Sequence, residues 1–210
     1  MPKAVDHDER RRELGNAVLK VIRRSGVEAA SVRAVAAEAG WSPGSIRYYF
    51  PTQSELLAFA LELITERITR RVDALELTGN PRSDAELILH QLLPLDAERR
   101  AENEVWLAFT GRALADPKLR ALHRRTHDEL REGCRRALEP LIRSDGPRRG
   151  LDLSLETERL HALIDGLAVH GAMRPERMSR SRIVGVLDRH LDSLMDVERD
   201  AGTAKQALRR

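Results

Sequence analysis

Residues 31–57 read SVRAVAAEAGWSPGSIRYYFPTQSELL. Within them, Trp41 to Phe50 hold four of the chain's seven aromatic residues: Trp41, Tyr48, Tyr49 and Phe50, the others being Phe59, Trp106 and Phe109. Ser31 can cap a short helix that runs through Ala39 and ends at Gly40, and Ser42 can cap a very short one closed by Pro51. A small residue at Ala36 permits close approach of the two helices. Gly40 permits a left-handed turn that a Cβ would strain, and Ile46 fills the space between. This spacing predicts a helix-turn-helix.

The second of these helices, at about eight residues and roughly 12 Å, matches the width of the B-DNA major groove. Its first turn, Pro43-Gly44-Ser45, has little bulk, so its amides and positive dipole end can come near phosphates and base edges. Arg47 can donate two hydrogen bonds to guanine, and Tyr48 and Tyr49 can donate to phosphate. Trp41 and Phe50 are expected to pack the unit together, because so short a helix does not stand alone.

Outward from this segment the chain reads as helices throughout. His7 to Arg24 spaces Leu14, Val18, Val21 and Ile22 by three and four, and Ser25-Gly26 stops it. Thr52-Gln-Ser-Glu55 is a capping box opening a helix of roughly 40 Å, with Leu57, Leu61, Ile64, Ile68, Val72 and Leu75 in one stripe as far as Gly79. Ser83 to Glu86 reads as a second capping box, for a helix through Leu93. Further helices are expected over Glu98 to Ala115, from Asp116-Pro117 to about Arg143, and over Ser154 to Met173 and Ser179 to Glu198. The fold class is all-α.

Composition narrows the function classes. Residues 1–50 carry nine Lys or Arg against six Asp or Glu, whereas 51–210 carry twenty-seven of each, so the whole net charge of +3 lies in the first fifty residues. Local positive charge suits a polyanion. Cys134 is the single cysteine, which excludes a disulfide framework or thiolate cluster. No run approaches the roughly eighteen apolar residues of a membrane span, and MPKAVDHDERRRELG does not resemble a signal peptide. A cytoplasmic protein away from the membrane is expected, with no cofactor. No nucleophile elbow, phosphate loop or HExxH is present, so an enzyme is not expected.

The segment Ser31 to Leu57 resembles the DNA-binding signature of the TetR family of bacterial transcriptional regulators. LLPLDAERRAENEVWLAFTGRALADP and LHALIDGLAVHG are similar to the C-terminal domain of the betaine-choline regulator subclass. The resemblance implies three N-terminal helices that bind operator DNA and about six more that bind a small-molecule inducer and form a homodimer. It divides the chain into 1–51, 52–200 and a disordered tail, 201–210. It carries DNA-facing roles to Ser31, Arg33, Ser42, Gly44, Ser45, Arg47, Tyr48 and Tyr49, with Pro43 in the same turn. Arg47 stands where many members have tyrosine, and Gln53 where many have lysine. Function is therefore expected to be ligand-responsive repression from a near-palindromic operator, with half-sites around 34 Å apart.

His90, Asn103, Trp106, Phe109, Thr126 and Cys134 are candidates for the ligand pocket, because they add aromatic or polar chemistry to aliphatic helix faces. Leu160, Leu163, Ile164 and Leu167 with Gly171, and Ile183, Leu187, Leu191 and Leu194, form two stripes assigned to the dimer interface. Two other readings compete. His123, His127 and Cys134 share one helix face and could sense a metal, though RALHRRTHDELRE reads better as a charged surface helix, and His161 with Asp165 as an exposed pair. The fold could also serve protein interaction after loss of DNA binding, a reading that the intact Ser42 to Phe50 segment opposes.

Overall fold

Helices form almost everywhere that capping and apolar spacing predict them. The computed structural model describes residues 7–144, 147 and 150–195, the side chains of 7–9 and 11 excepted. Its nine α-helices among these residues are α1 (His7–Ser25), α2 (Val32–Ala39), α3 (Pro43–Tyr49), α4 (Gln53–Asp73), α5 (Pro81–Leu89), α6 (Ala97–Ala115), α7 (Pro117–Arg143), α8 (Leu153–Met173) and α9 (Arg180–Ser193), with a 3-10 turn at Val27–Ala29. The expected tail 201–210 and the end of the last expected helix, 196–198, lie outside the described residues. No described helix is long and apolar enough to cross a membrane.

The chain forms two compact units. One gathers the chain as far as Arg71 with Pro94–Thr126, and the other gathers Val72–Leu93 with the chain from His127 on. In the first, the α1 stripe Leu14, Val18, Val21 and Ile22 is buried with Val35 and Ala36 of α2, Ile46 of α3, Leu57, Leu61 and Ile64 of α4, and Val105 and Phe109 of α6. Ala36 and Ile46 have no exposed surface, which is the use the helix-turn-helix spacing requires of them. Gly40 takes φ +70° at the end of α2, where its N–H and that of Trp41 turn back on the Ala36 carbonyl. Gly15 permits a close helix crossing: a Cβ there would lie 2.0 Å from Leu63 Cδ1 of α4.

The capping box at Thr52 forms in both directions. Glu55 N–H donates to Thr52 Oγ1, and Thr52 N–H donates to the Glu55 carboxylate, each at 3.2 Å. Other boundaries differ from expectation. The α4 helix ends at Asp73, not Gly79, and the Asp84 carboxylate holds the N–H groups of Thr78 and Gly79 at 2.7 and 3.1 Å. Asn80, not Ser83, caps α5: Ser83 lies inside the helix and donates its N–H to Asn80 Oδ1 at 3.0 Å, while Pro81 supplies a preset φ at the first position. That helix closes at Leu89, short of Leu93. Asp96 and Asp152 cap α6 and α8, so these begin at Ala97 and Leu153.

In the second unit α9 packs on α5 and α8. Arg82 of α5 donates to Asp192 and Asp188 of α9 at 3.0 and 3.2 Å, and to Glu86 of its own helix at 2.8 Å. One guanidinium so satisfies three carboxylates across the α5–α9 seam.

Candidate nucleic-acid interface

Seven residues make α3, and Ile46 is the one among them that is buried. Ser42 caps the helix from an extended backbone, its Oγ accepting from Ser45 N–H at 3.1 Å and lying 2.8 Å from Ser45 Oγ. Pro43 occupies the first helical position, where a missing N–H costs nothing. The Ser45 amide is thus satisfied by the cap and the Ile46 amide by the Ser42 carbonyl at 3.3 Å. The end therefore offers small side chains, hydroxyls and the dipole more than a row of open amides.

All nine candidate DNA-facing residues are exposed: Ser31 and Arg33 at the start of α2, and Ser42, Pro43, Gly44, Ser45, Arg47, Tyr48 and Tyr49 along α3. Ser31 caps α2, accepting from Ala34 N–H at 3.2 Å. The aromatic residues form a graded series. Tyr48 is 84% exposed and meets Tyr49 edge-on at 5.4 Å. Tyr49 touches Trp41 and Phe50 at 6.2 and 6.5 Å, and Phe50 packs at 4.6 Å on the buried Phe59 of α4. Trp41 and Phe50 are half-buried against the core. The series ties a solvent-facing phenol to the helix that supports it.

Arg10 of α1 was not singled out by sequence, since DERRR reads as an ordinary solvated face. It is exposed, lies over the Trp41 ring at 5.3 Å, and lines a shallow depression with Gly40, Ser45, Tyr48 and Tyr49. A second guanidinium therefore stands beside the face carrying Arg47.

The six pocket candidates divide between the units. In the first, Phe109 is fully buried, and Trp106 stacks on His123 at 5.4 Å with the rings 8° from parallel. Asn103 is buried and donates to the Arg99 carbonyl at 2.9 Å, and Thr126 is half-buried. In the second unit His90 ends α5 with Nε2 3.8 Å from the Glu86 carboxylate. Cys134 is fully buried, and burial followed by the nearby Asp165 charge pushes its thiol up to about 12, which keeps it protonated and unreactive.

The two stripes assigned to a dimer interface are largely covered within the single chain. Leu160, Ile164, Leu167 and Gly171 of α8, and Ile183, Leu187, Leu191 and Leu194 at α9, are buried inside the single chain, and Leu163 is half-buried. The exposed apolar residues of α8 are instead Leu155, Val169 and Met173, at 66%, 41% and 71%. With Ala162 and Gly166 they recur every three, four or seven residues and so share one helix face.

The metal-sensing set His123, His127 and Cys134 is not assembled either. His123 is taken up by Trp106 and Phe109, whereas the His127 ring lies 4.4 Å from that of His161. His161, expected to be exposed, is 3% exposed.

Comparison with known proteins agrees with this geometry. A family model described as "Bacterial regulatory proteins, tetR family" matches residues 16–67, and one described as "BetI-type transcriptional repressor, C-terminal" matches 81–196. The chain is 40% identical to the HTH-type transcriptional regulator PksA of Bacillus subtilis (strain 168), over 92% of this chain and 94% of the relative. It is 28% identical to the HTH-type transcriptional regulator BetI of Vibrio atlanticus (strain LGP32), over 91% and 94%. A solved transcriptional regulator from Rhodococcus sp. Rha1 superposes with a TM-score of 0.74 at 32% identity, covering 88% of this chain and 95% of that one.

Proposed function

The chain belongs to the TetR family of bacterial regulatory proteins and is a DNA-binding transcriptional regulator, not an enzyme; we propose that it is a homodimeric repressor released from its operator by a small molecule. Residues 1–51 form the DNA-reading part in this reading and 52–200 the ligand-binding and dimerising part. The protein works in the cytoplasm, where its DNA is. The observation that carries it is the design of α3, in which one buried residue, Ile46, anchors a helix whose other six residues face solvent.

In the major groove, Arg47 reads a base edge and Tyr48 and Tyr49 hold phosphate oxygens, while Ser31 and Arg33 grip the backbone from α2. Two copies of α3 occupy successive grooves of a near-palindromic operator. The outward stripe of α8, Leu155, Val169 and Met173, supports an isologous contact between copies. Trp106, Asn103 and Thr126 of the first unit, backed by the buried Phe109, are the residues on which we place inducer recognition; His90 and the buried Cys134 are the candidates of the second unit. An inducer that prefers the wrong half-site separation by about 1–3 kcal/mol lowers DNA affinity roughly 5- to 150-fold.

A mobility-shift titration on DNA flanking the gene tests the reading. Wild type is expected to bind with steep salt dependence, and Arg47→Ala to bind about 5- to 150-fold more weakly. Equal affinity for the two proteins removes Arg47 from base reading, and binding that ignores salt removes the DNA surface altogether.

A further inference from the structure

Two helices of the second unit bring together three donor groups that DNA reading does not use. His127 of α7 and His161 and Asp165 of α8 each offer one ligand atom, and these atoms all lie within 4.8 Å of one another. The two imidazoles approach to 4.4 Å between centroids, inclined at 54°. His161 is 3% exposed, yet its Nε2 makes no hydrogen bond, and neither does the buried Oδ1 of Asp165. The two side chains do not satisfy each other: Nε2 stands 3.8 Å from Oδ2, beyond hydrogen-bond length. Buried polar atoms with no partner carry a desolvation penalty that native folds seldom leave standing.

We propose that His127, His161 and Asp165 bind one divalent transition-metal ion of the zinc type. Two imidazole nitrogens and a carboxylate oxygen are a donor set that such ions take readily. Donors at about 2.0–2.2 Å from a tetrahedral ion stand roughly 3.3 Å from one another. The 3.8 Å and 4.8 Å separations therefore close by side-chain rotations of roughly 1 Å. His161 and Asp165 sit one turn apart on α8 and chelate from a single face, while His127 supplies the arm from α7. Three protein ligands leave a fourth position for water.

The surroundings suit a cation. Asp165 places a carboxylate oxygen beside both imidazoles. Glu158 also lies near both imidazoles, its charge balanced by its ion pair with Arg131. Cys134 stays outside the set, protonated in the core.

The test uses untagged full-length protein, stripped with chelator and then equilibrated with zinc. About one zinc per chain is expected by elemental analysis, with cobalt substitution giving the intense visible absorption of a tetrahedral site. His127→Gln and Asp165→Asn, both at partly exposed positions, are expected to retain less than about a tenth of that zinc, with unchanged circular dichroism. Zinc is also expected to raise the melting temperature of wild type in a chelator-reversible way, a readout that needs no variant to fold. Wild type that holds no zinc and shows no melting shift overturns the site, as does full stoichiometry in both variants. None of these readouts depends on operator binding.

Discussion

Arg71 of α4 and Glu102 of α6 meet fork to fork, with Nη1 to Oε1 and Nη2 to Oε2 both at 2.7 Å. Glu102 is 3% exposed, and Arg71 bonds both of its carboxylate oxygens. Removing one partner of a largely buried ion pair is far costlier than replacing both with apolar groups. Glu102→Ala is expected to lower unfolding free energy by about 2–3 kcal/mol, and Arg71→Met with Glu102→Leu by distinctly less. Urea denaturation of the three proteins measures the difference.

Gly15 sets how closely α1 lies on α4. An alanine Cβ there would meet Leu63 Cδ1 at 2.0 Å and Cγ at 3.1 Å, and Leu63 is itself buried. Alanine gains about 1 kcal/mol of helix propensity, but overpacking costs about 1–3 kcal/mol, so Gly15→Ala is expected to destabilise. Leu63→Ala should remove most of the overpacking cost in a double-mutant cycle read by thermal unfolding, leaving Gly15→Ala neutral or better in that background.

His190 gives stability a defined pH dependence. Burial, helped by Arg159, lowers its pKa from 6.5 to about 4. Above pH 6.5 the imidazole is neutral in both folded and unfolded chains and contributes no slope. Between 6.5 and 4 only the unfolded chain takes the proton, so stability falls as pH falls. A loss of about 1–2 kcal/mol across that window is expected, solvent screening included. Chemical denaturation of wild type and His190→Gln at pH 7.0 and about 4.5 should show a smaller pH-dependent loss in the variant.

The exposed stripe of α8 makes the proposed dimer testable without disturbing the core. Met173 is 71% exposed, so Met173→Asp is expected to leave the melting temperature of the isolated fold within the range of ordinary surface changes. It should shift the species seen by light scattering at micromolar concentration from dimer to monomer, because a buried carboxylate facing its symmetry mate is unfavourable. Retention of dimer by Met173→Asp and Val169→Glu together would place the contact elsewhere.

What the sequence made legible follows from the range over which each signal acts. The caps at Ser31 and Ser42 and the reciprocal box at Thr52 are local hydrogen bonds, written within three residues, and each forms as read. Ala36 and Ile46 were also legible, since the two helices they join are adjacent in the chain. Asn80 against Ser83 was a competition between two good caps, decided by the proline next to Asn80. The leucine stripes of α8 and α9 revealed that those faces leave water, but not which surface covers them. That information resides in long-range packing, and here the covering surface is the chain's own. His161 shows the same limit: the spacing to Asp165 is visible in LHALIDG, whereas the approach of His127 from another helix is not.

Because Ile46 is the one buried residue of α3, the exposed Arg47 and Tyr48 carry few of the constraints that hold the fold together. Substitutions there change what is recognised while leaving folding intact. A lineage carrying this scaffold can thus acquire new target sequences one residue at a time, each step viable, and a designer can randomise those two positions without a parallel search for stabilising changes.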